Sequence, residues 1–304
     1  MTRQAFLRAA LAGGVALLLA ACGGEGGPRP DLLLVSTRDG EYAIYALNAD
    51  GGSQKRLTES DVDPTSPRRV LFQVEPAWSP DGRRIAFASK RSGTFDIYAM
   101  KADGTGTRRL TSVRADDGHP TWSPDGGRIA FDRGTAGDIY VMNADGSRVH
   151  AIGDDAAGET QPAWSPDGRW IAYVRRTPGT ENSELWLVRP NGAGAHALTD
   201  LGGESYGPSW SPTSSRIAFA TDVDNTQLDI YTIGVDGKGL RRLTVSRDET
   251  FEPSWSPDGT TIAYSEGGAI YLTDAAGKAA DRITDGANND SSPVWNPVPA
   301  GEEE

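Results

Sequence analysis

A tryptophan returns along this chain at nearly even spacing, and that period restricts the fold more than any other feature. Trp78, Trp122, Trp164, Trp210, Trp255 and Trp295 are separated by 44, 42, 46, 45 and 40 residues. Around the first five the text follows Pro-x-Trp-Ser-Pro-Asp-Gly-x-x-Ile-Ala-Phe, at Pro76 to Phe87, Pro120 to Phe131, Pro162 to Tyr173, Pro208 to Phe219 and Pro253 to Tyr264. A second half follows each copy. It reads Asp-Ile-Tyr at Asp96 to Tyr98, Asp138 to Tyr140 and Asp229 to Tyr231, with Leu185-Trp186 and Ile270-Tyr271 in the other two. Repeats of this length are single supersecondary units that bury their faces only against neighbours.

Each unit predicts four short strands. The first surrounds the Trp, the second is the Ile-Ala-Phe run, the third holds the Tyr, and the fourth leads into Leu57-Thr58, Leu110-Thr111, Leu198-Thr199, Leu243-Thr244 or Ile283-Thr284. Apolar runs without alternation imply strands covered on both faces. Ser-Pro-Asp-Gly at Ser79 to Gly82 and its copies predict tight turns between strands one and two. Asp50-Gly51, Asp103-Gly104, Asp145-Gly146, Asn191-Gly192 and Asp236-Gly237 predict the same between strands three and four. Two units depart from the pattern, with Thr213-Ser214-Ser215 in place of Asp-Gly and Ala151-Ile152 in place of Leu-Thr. With 37 glycines and 19 prolines the chain is punctuated too often for long helices.

The two ends complete one another. Residues Leu32 to Thr58 supply strands two, three and four but no Trp strand, while Ser292 to Val298 supply only a Trp strand. Pairing them makes a sixth sheet and closes a ring without a long free edge. The expected fold is therefore all-β, a six-bladed β-propeller of four-stranded antiparallel blades over 32–298, closed by the C-terminal strand on the N-terminal blade.

These motifs resemble the TolB-type propeller repeat, a relative of the WD-repeat class, across nearly all of Leu32 to Val298. Members of that family join the propeller to an additional amino-terminal domain and hold a peptidoglycan-associated lipoprotein at the channel mouth. The resemblance implies a binding protein of the cell envelope. No room is expected here for the extra domain.

The amino end implies export. Arg3 and Arg8 precede an apolar stretch from Ala9 to Ala21, followed by Cys22. At the helical rise thirteen residues reach roughly 20 Å, short of the roughly 30 Å hydrocarbon core. Residues 1–21 are thus expected to be a signal peptide. Leu19-Ala20-Ala21-Cys22 is similar to a bacterial lipobox, and Cys22 is the only cysteine, without disulfide or metal partner. The expectation is a lipidated Cys22, a Gly/Pro-rich tether over 22–31 and an acidic tail over 299–304. The propeller would then sit outside the cytoplasm, anchored to the cell membrane or an outer membrane, as a monomer.

Loops on the face carrying the connections from strand four to strand one, and from two to three, vary in length and text. Glu59 to Glu75 spans 17 residues against eight or nine for its five counterparts, and the six connections together carry a charge equal to the chain's formal −12. An acidic mouth attracts cations or basic segments and disfavours nucleic acid. The residues just before the strand-one Pro are Glu75, His119, Gln161, Gly207, Glu252 and Ser292, expected at the channel entrance. Glu75, His119, Gln161 and Glu252, with Tyr206 beside Gly207, are the expected partner-binding residues. Oxygen donors from Glu75, Gln161 and Glu252 would suit calcium if they converge.

Catalytic patterns are sparse. Gly203-Glu204-Ser205-Tyr206-Gly207 matches a nucleophile elbow, but no helix-forming stretch follows it. His150 and His196 fall on fourth strands at the outer rim. Some lyases of pectic oligosaccharides use similar propeller repeats with channel histidines and a glutamine around a divalent ion; His119 and Gln161 fit that pattern. The sequence thus favours capture of an envelope protein or peptide over catalysis. A glycan or small-molecule binder, or a metal-dependent oligosaccharide lyase, is the alternative.

Overall fold

The computed structural model describes residues 30–58, 73–134, 137–153, 158–224 and 227–298. Cys22, the expected leader and tether before residue 30, the connection 59–72 and the expected tail 299–304 lie outside them.

Consecutive residues of each second strand are buried, although neighbours in a strand point to opposite faces. In Arg84–Ser89 the run Ile85, Ala86, Phe87, Ala88 is at most 1% exposed. Burial on both faces requires a layer on either side. Six four-stranded antiparallel sheets supply it, arranged as successive blades. The second blade comprises Gln73–Trp78, Arg84–Ser89, Asp96–Lys101 and Arg108–Arg109, and the third to sixth follow the same order. Fourth strands hold only two or three residues and are largely exposed.

The first blade is assembled from both ends. Its order is Ser291–Trp295, Leu32–Ser36, Ala43–Leu47, Lys55–Arg56, with Leu32 opposite Trp295 and Leu33 opposite Val294. Asn296 N–H donates to the Asp31 carbonyl at 2.8 Å, and Thr37 N–H to that of Asn288 at 2.9 Å. The ring closes as the repeat count requires.

The tryptophans are wedges between blades. Trp122 packs among Ala86, Ala88 and Ile97 of the preceding blade, and its indole N–H donates to the Ala77 carbonyl at 3.2 Å. Trp210 does the same to Ala163 at 2.9 Å.

The Leu-Thr endings also have a structural cause. Thr58, Thr111, Thr199, Thr244 and Thr284 each accept, through Oγ1, a backbone N–H of the third strand at 2.8 to 3.0 Å. In the third blade Ile152 takes the Leu place, its N–H bonding the Ile139 carbonyl. Gly153 then stands where Thr would. A Cβ there would lie 1.8 Å from Glu159 Oε2, so the neighbouring carboxylate occupies the space. In the fifth blade Ser214 takes the glycine position of the turn at φ 56°.

Candidate functional site

Every first strand contains a bulge, and the bulges build the site. Register slips between Val74 and Ala77, Gly118 and Thr121, Thr160 and Ala163, Tyr206 and Ser209, and Phe251 and Ser254, with a matching shift in the closing strand. The residue before each proline adopts left-handed backbone, at φ 56° for Glu75, 46° for His119, 56° for Gln161, 59° for Gly207, 55° for Glu252 and 51° for Ser292. Five of these six are not glycine, and each such residue costs about 1 kcal/mol or more. A bulge re-aims its side chain, and here the six residues line one cavity of about 330 Å³ on the central axis. Below them the wall is made by Pro76, Pro120, Pro162, Pro208, Pro253 and Pro293, with Trp164 and Trp210 deeper.

The mouth is stitched from blade to blade. Glu75 Oε2 accepts the His119 N–H at 2.6 Å, Gln161 Oε1 that of Gly207 at 2.7 Å, and Glu252 Oε2 that of Ser292 at 2.6 Å. His119 has no carboxylate to offer its neighbour, and Asp132 of the second strand substitutes, accepting the Gln161 N–H at 2.8 Å.

His119 lies between two carboxylates, with Nδ1 2.8 Å from Asp132 Oδ2 and Nε2 3.2 Å from Glu75 Oε1. Loss of solvent acts to lower its pKa, but the charges of Glu75 and Asp132 outweigh this and raise it to about 10. Both ring N–H groups therefore donate, and the ring is an imidazolium at neutral pH. Burial pushes the Glu75 carboxyl up against the pull of His119. For Asp132 burial also acts upward, but His119 and the N–H groups of Gln161 and Gly118 hold it below the ordinary carboxylate range.

Glu75, His119, Gln161 and Glu252 converge as expected. Tyr206 does not join them. It packs with Phe251 against Ala218, Ala220 and Ile230 between the fifth and sixth blades, and its hydroxyl donates to Glu204 Oε2 at 2.7 Å. Asp132 was missed by sequence reasoning. Its counterparts after the Ile-Ala-aromatic run are Ala88, Val174, Ala220 and Ser265, so one acid among small or apolar residues was the available signal.

First strands begin earlier than the text suggests, at Gln73, Asp117, Glu159, Ser205, Thr250 and Ser291. Part of the acidity assigned to connections is thus buried in or beside strands and neutralised. Both oxygens of Asp117 accept from Arg133, at 2.7 and 3.0 Å, and Asp290 pairs with Arg38 at 3.0 Å. Among the described residues the acids lining the cavity are Glu75 and Glu252, with Asp132 behind His119.

The calcium expectation fares poorly in this geometry. Glu75 holds His119, Gln161 holds Gly207 and Glu252 holds Ser292. Among the described residues no three His, Cys, Asp or Glu side chains are grouped to hold a metal ion. Ser205 of the elbow-like pentapeptide lies within the strand Ser205–Trp210, fully buried, its N–H donating to Ser183 Oγ at 2.8 Å. His150 and His196 are exposed on fourth strands.

Comparison with known proteins agrees with this architecture. The TolB beta propeller domain family matches residues 69–200 and 159–299. Among curated relatives, the Tol-Pal system protein TolB of Thioalkalivibrio sulfidiphilus is 32% identical over 77 residues, 24% of this chain and 18% of that protein. The protein of the same name from Anaeromyxobacter dehalogenans is 35% identical over 92 residues, 29% of this chain and 19% of its own length. The matched stretch spans about a fifth of these relatives. Among solved structures, TolB from Acinetobacter baumannii superposes with TM-score 0.74 at 20% identity, covering 90% of this chain and 68% of that one. Hydrazine synthase of Kuenenia stuttgartiensis gives 0.70 at 17% identity, covering 90% and 48%. The same fold therefore occurs within an enzyme. A repeat matched over most of the ring, with the blades and closure to go with it, means that this chain belongs to the TolB β-propeller domain family.

Proposed function

We propose that this chain is a cell-envelope binding protein that takes a protein or peptide partner at the mouth of its central channel. The observation carrying this reading is the contrast between scaffold and mouth. Turns, wedges and prolines repeat from blade to blade, whereas the six residues projected by the bulges are of five kinds and meet in one cavity. Variable side chains on a rigid repeated support suit recognition. A volume of about 330 Å³ takes a few side chains, not a domain, so the partner lies across the face and inserts a short segment. Glu75, Asp132 and Glu252 favour a basic or amide-rich segment, and the proline wall an apolar one below it. The TolB relatives are Tol-Pal system proteins, which supports an envelope partner here. Lipidation at Cys22 would hold the propeller near a membrane, outside the cytoplasm.

Cross-linking in intact cells from a photoreactive residue at position 161, followed by mass spectrometry, tests this reading. A discrete partner is expected. Its capture should fall at least about tenfold with Glu252→Lys, since a like charge then meets the inserted segment. Deletion of 62–72 should also abolish capture while the thermal transition survives. Capture unchanged in both folded variants would overturn the assignment.

A further inference from the structure

Aromatic rings pair across the second and third strands, toward the outer wall and the preceding blade. Phe87 and Tyr98 stack with centroids 5.8 Å apart, Phe131 and Tyr140 5.8 Å, and Tyr264 and Tyr271 5.7 Å. In four blades an arginine of the same blade covers the third-strand ring. Arg38 lies 4.5 Å over Tyr45, Arg91 4.9 Å over Tyr98, Arg133 4.5 Å over Tyr140 and Arg175 4.2 Å over Trp186. Two of these guanidinium groups are also paired to a buried acid, Arg133 to Asp117 and Arg38 to Asp290. Ring, guanidinium and carboxylate recur together.

The sixth blade keeps the rings, but Thr250 stands where Asp117 does, and among the described residues no guanidinium covers the rings. Tyr264 sits opposite Tyr271 as Phe131 does opposite Tyr140, so Glu266, two residues on, occupies the place of Arg133 and Arg175. The connection that follows is Gly267 and Gly268 alone, leaving no loop position for a counterpart of Arg38 or Arg91. Beside the ring pair is a cavity of about 320 Å³, bounded by Tyr264, Tyr271, Glu266, Val245, Ser246 and Lys278. Glu266 accepts a hydrogen bond from the Ser246 hydroxyl and has no ion pair among the described residues. Arg282, opposite Tyr271, does not fill the space. Its Nε donates to the Thr284 carbonyl at 2.7 Å and its Nη2 to that of Asp285. Val245, at the lip, is 83% exposed. Among the described residues the fifth blade also lacks a stacked arginine, and its Tyr231 hydroxyl donates to Asp224 Oδ2 at 2.6 Å.

We propose that this groove, on the outer wall between the fifth and sixth blades, binds the guanidinium group of an arginine side chain from a partner polypeptide. The cation stacks on Tyr271, the half-buried ring of the pair, over the buried Tyr264, and its planar fork meets the Glu266 carboxylate, reproducing in trans the ring–guanidinium stack that four blades build in cis. Val245 offers an apolar contact to the residue beside that arginine. The site is separate from the channel mouth and stands or falls without it.

Titration of the full chain with acetyl-Gly-Arg-Gly-amide, followed by NMR of ring-labelled tyrosines, reads the proposal. Resonances of Tyr264 and Tyr271 should shift, and the peptide carrying citrulline should bind about tenfold more weakly. Glu266→Arg installs the arrangement of the third and fourth blades; peptide binding should be lost and the thermal midpoint should rise. Glu266→Gln keeps the side-chain volume and a Ser246 contact, so it provides the same reading if the arginine variant does not fold. A weakening of about fivefold is expected there. Equal binding of the arginine and citrulline peptides, undiminished binding by both Glu266 variants, or unmoved tyrosines at tens of millimolar peptide would each overturn the proposal.

Discussion

His119 carries its charge because two carboxylates reach it from different blades, Glu75 from the preceding one and Asp132 from its own second strand. Its folded pKa of about 10 lies above the ordinary 6.5, so the folded state holds a proton that the unfolded chain releases first. Stability from this group is complete below pH 6.5 and drains away as pH rises toward 10. On the acid side the depressed Asp132 carboxyl works oppositely, its contribution vanishing as pH falls through its folded pKa. Thermal midpoints of wild type and His119→Gln, compared from pH 6 to pH 10, should converge as pH rises. A gap that stays constant across that range would show the ring to be neutral. The pairing was not legible in the sequence, since Glu75 lies a full repeat before His119, Asp132 lies on the next strand, and a strand bulge aligns them.

Turns between strands three and four explain why glycine follows the acid or amide there. Gly104 has φ 91°, and a Cβ on it would stand 2.4 Å from the carbonyl oxygen of Leu57 in the preceding blade. The same approach joins Gly146 to Leu110, Gly277 to Leu243 and, across the closure, Gly51 to Ile283. The turn is thus an inter-blade contact as well as a hairpin. Gly40 separates the two causes, with φ 87° and nothing within 4 Å of an added Cβ. Gly40→Ala should cost about 1 kcal/mol, for backbone conformation alone. Gly104→Ala should cost a further ~1–3 kcal/mol, because the blades must separate. Equal losses in denaturant titrations would mean that the blades yield freely. Hairpin chemistry in the sequence anticipates the turn; the proximity of Leu57 follows only from the blades' packing.

Closure joins the first blade to the last. Ser291–Trp295 pairs with Leu32–Ser36, and Leu32, Leu34 and Tyr45 share a cluster with Ala263 and Ile270 of the sixth blade. Removing 287–304 would bare an edge of Leu32–Ser36 and uncover that cluster. The thermal midpoint should fall by roughly 10 °C or more, with self-association through the freed edge. A truncated chain that melts at the wild-type midpoint as a monomer would show that the closing strand is dispensable.

Blade number, strand order, both families of turns and the split first blade were legible in the text of the chain, because a local repeat states its own hydrogen bonding and its own need for neighbours. Glu75, His119, Gln161 and Glu252 could be placed at the mouth on the same grounds, as the variable position just before a constant motif. Tertiary packing settled what such local logic does not contain. It engaged Asp132, turned Tyr206 between blades, paired Asp117 and Asp290 with arginines, and left the Tyr264–Tyr271 rings without one. Each of these depends on which side chains two different blades bring within a few ångströms. That distance is set by bulges and by the angle between sheets, and neither is written in the spacing of residues along one strand.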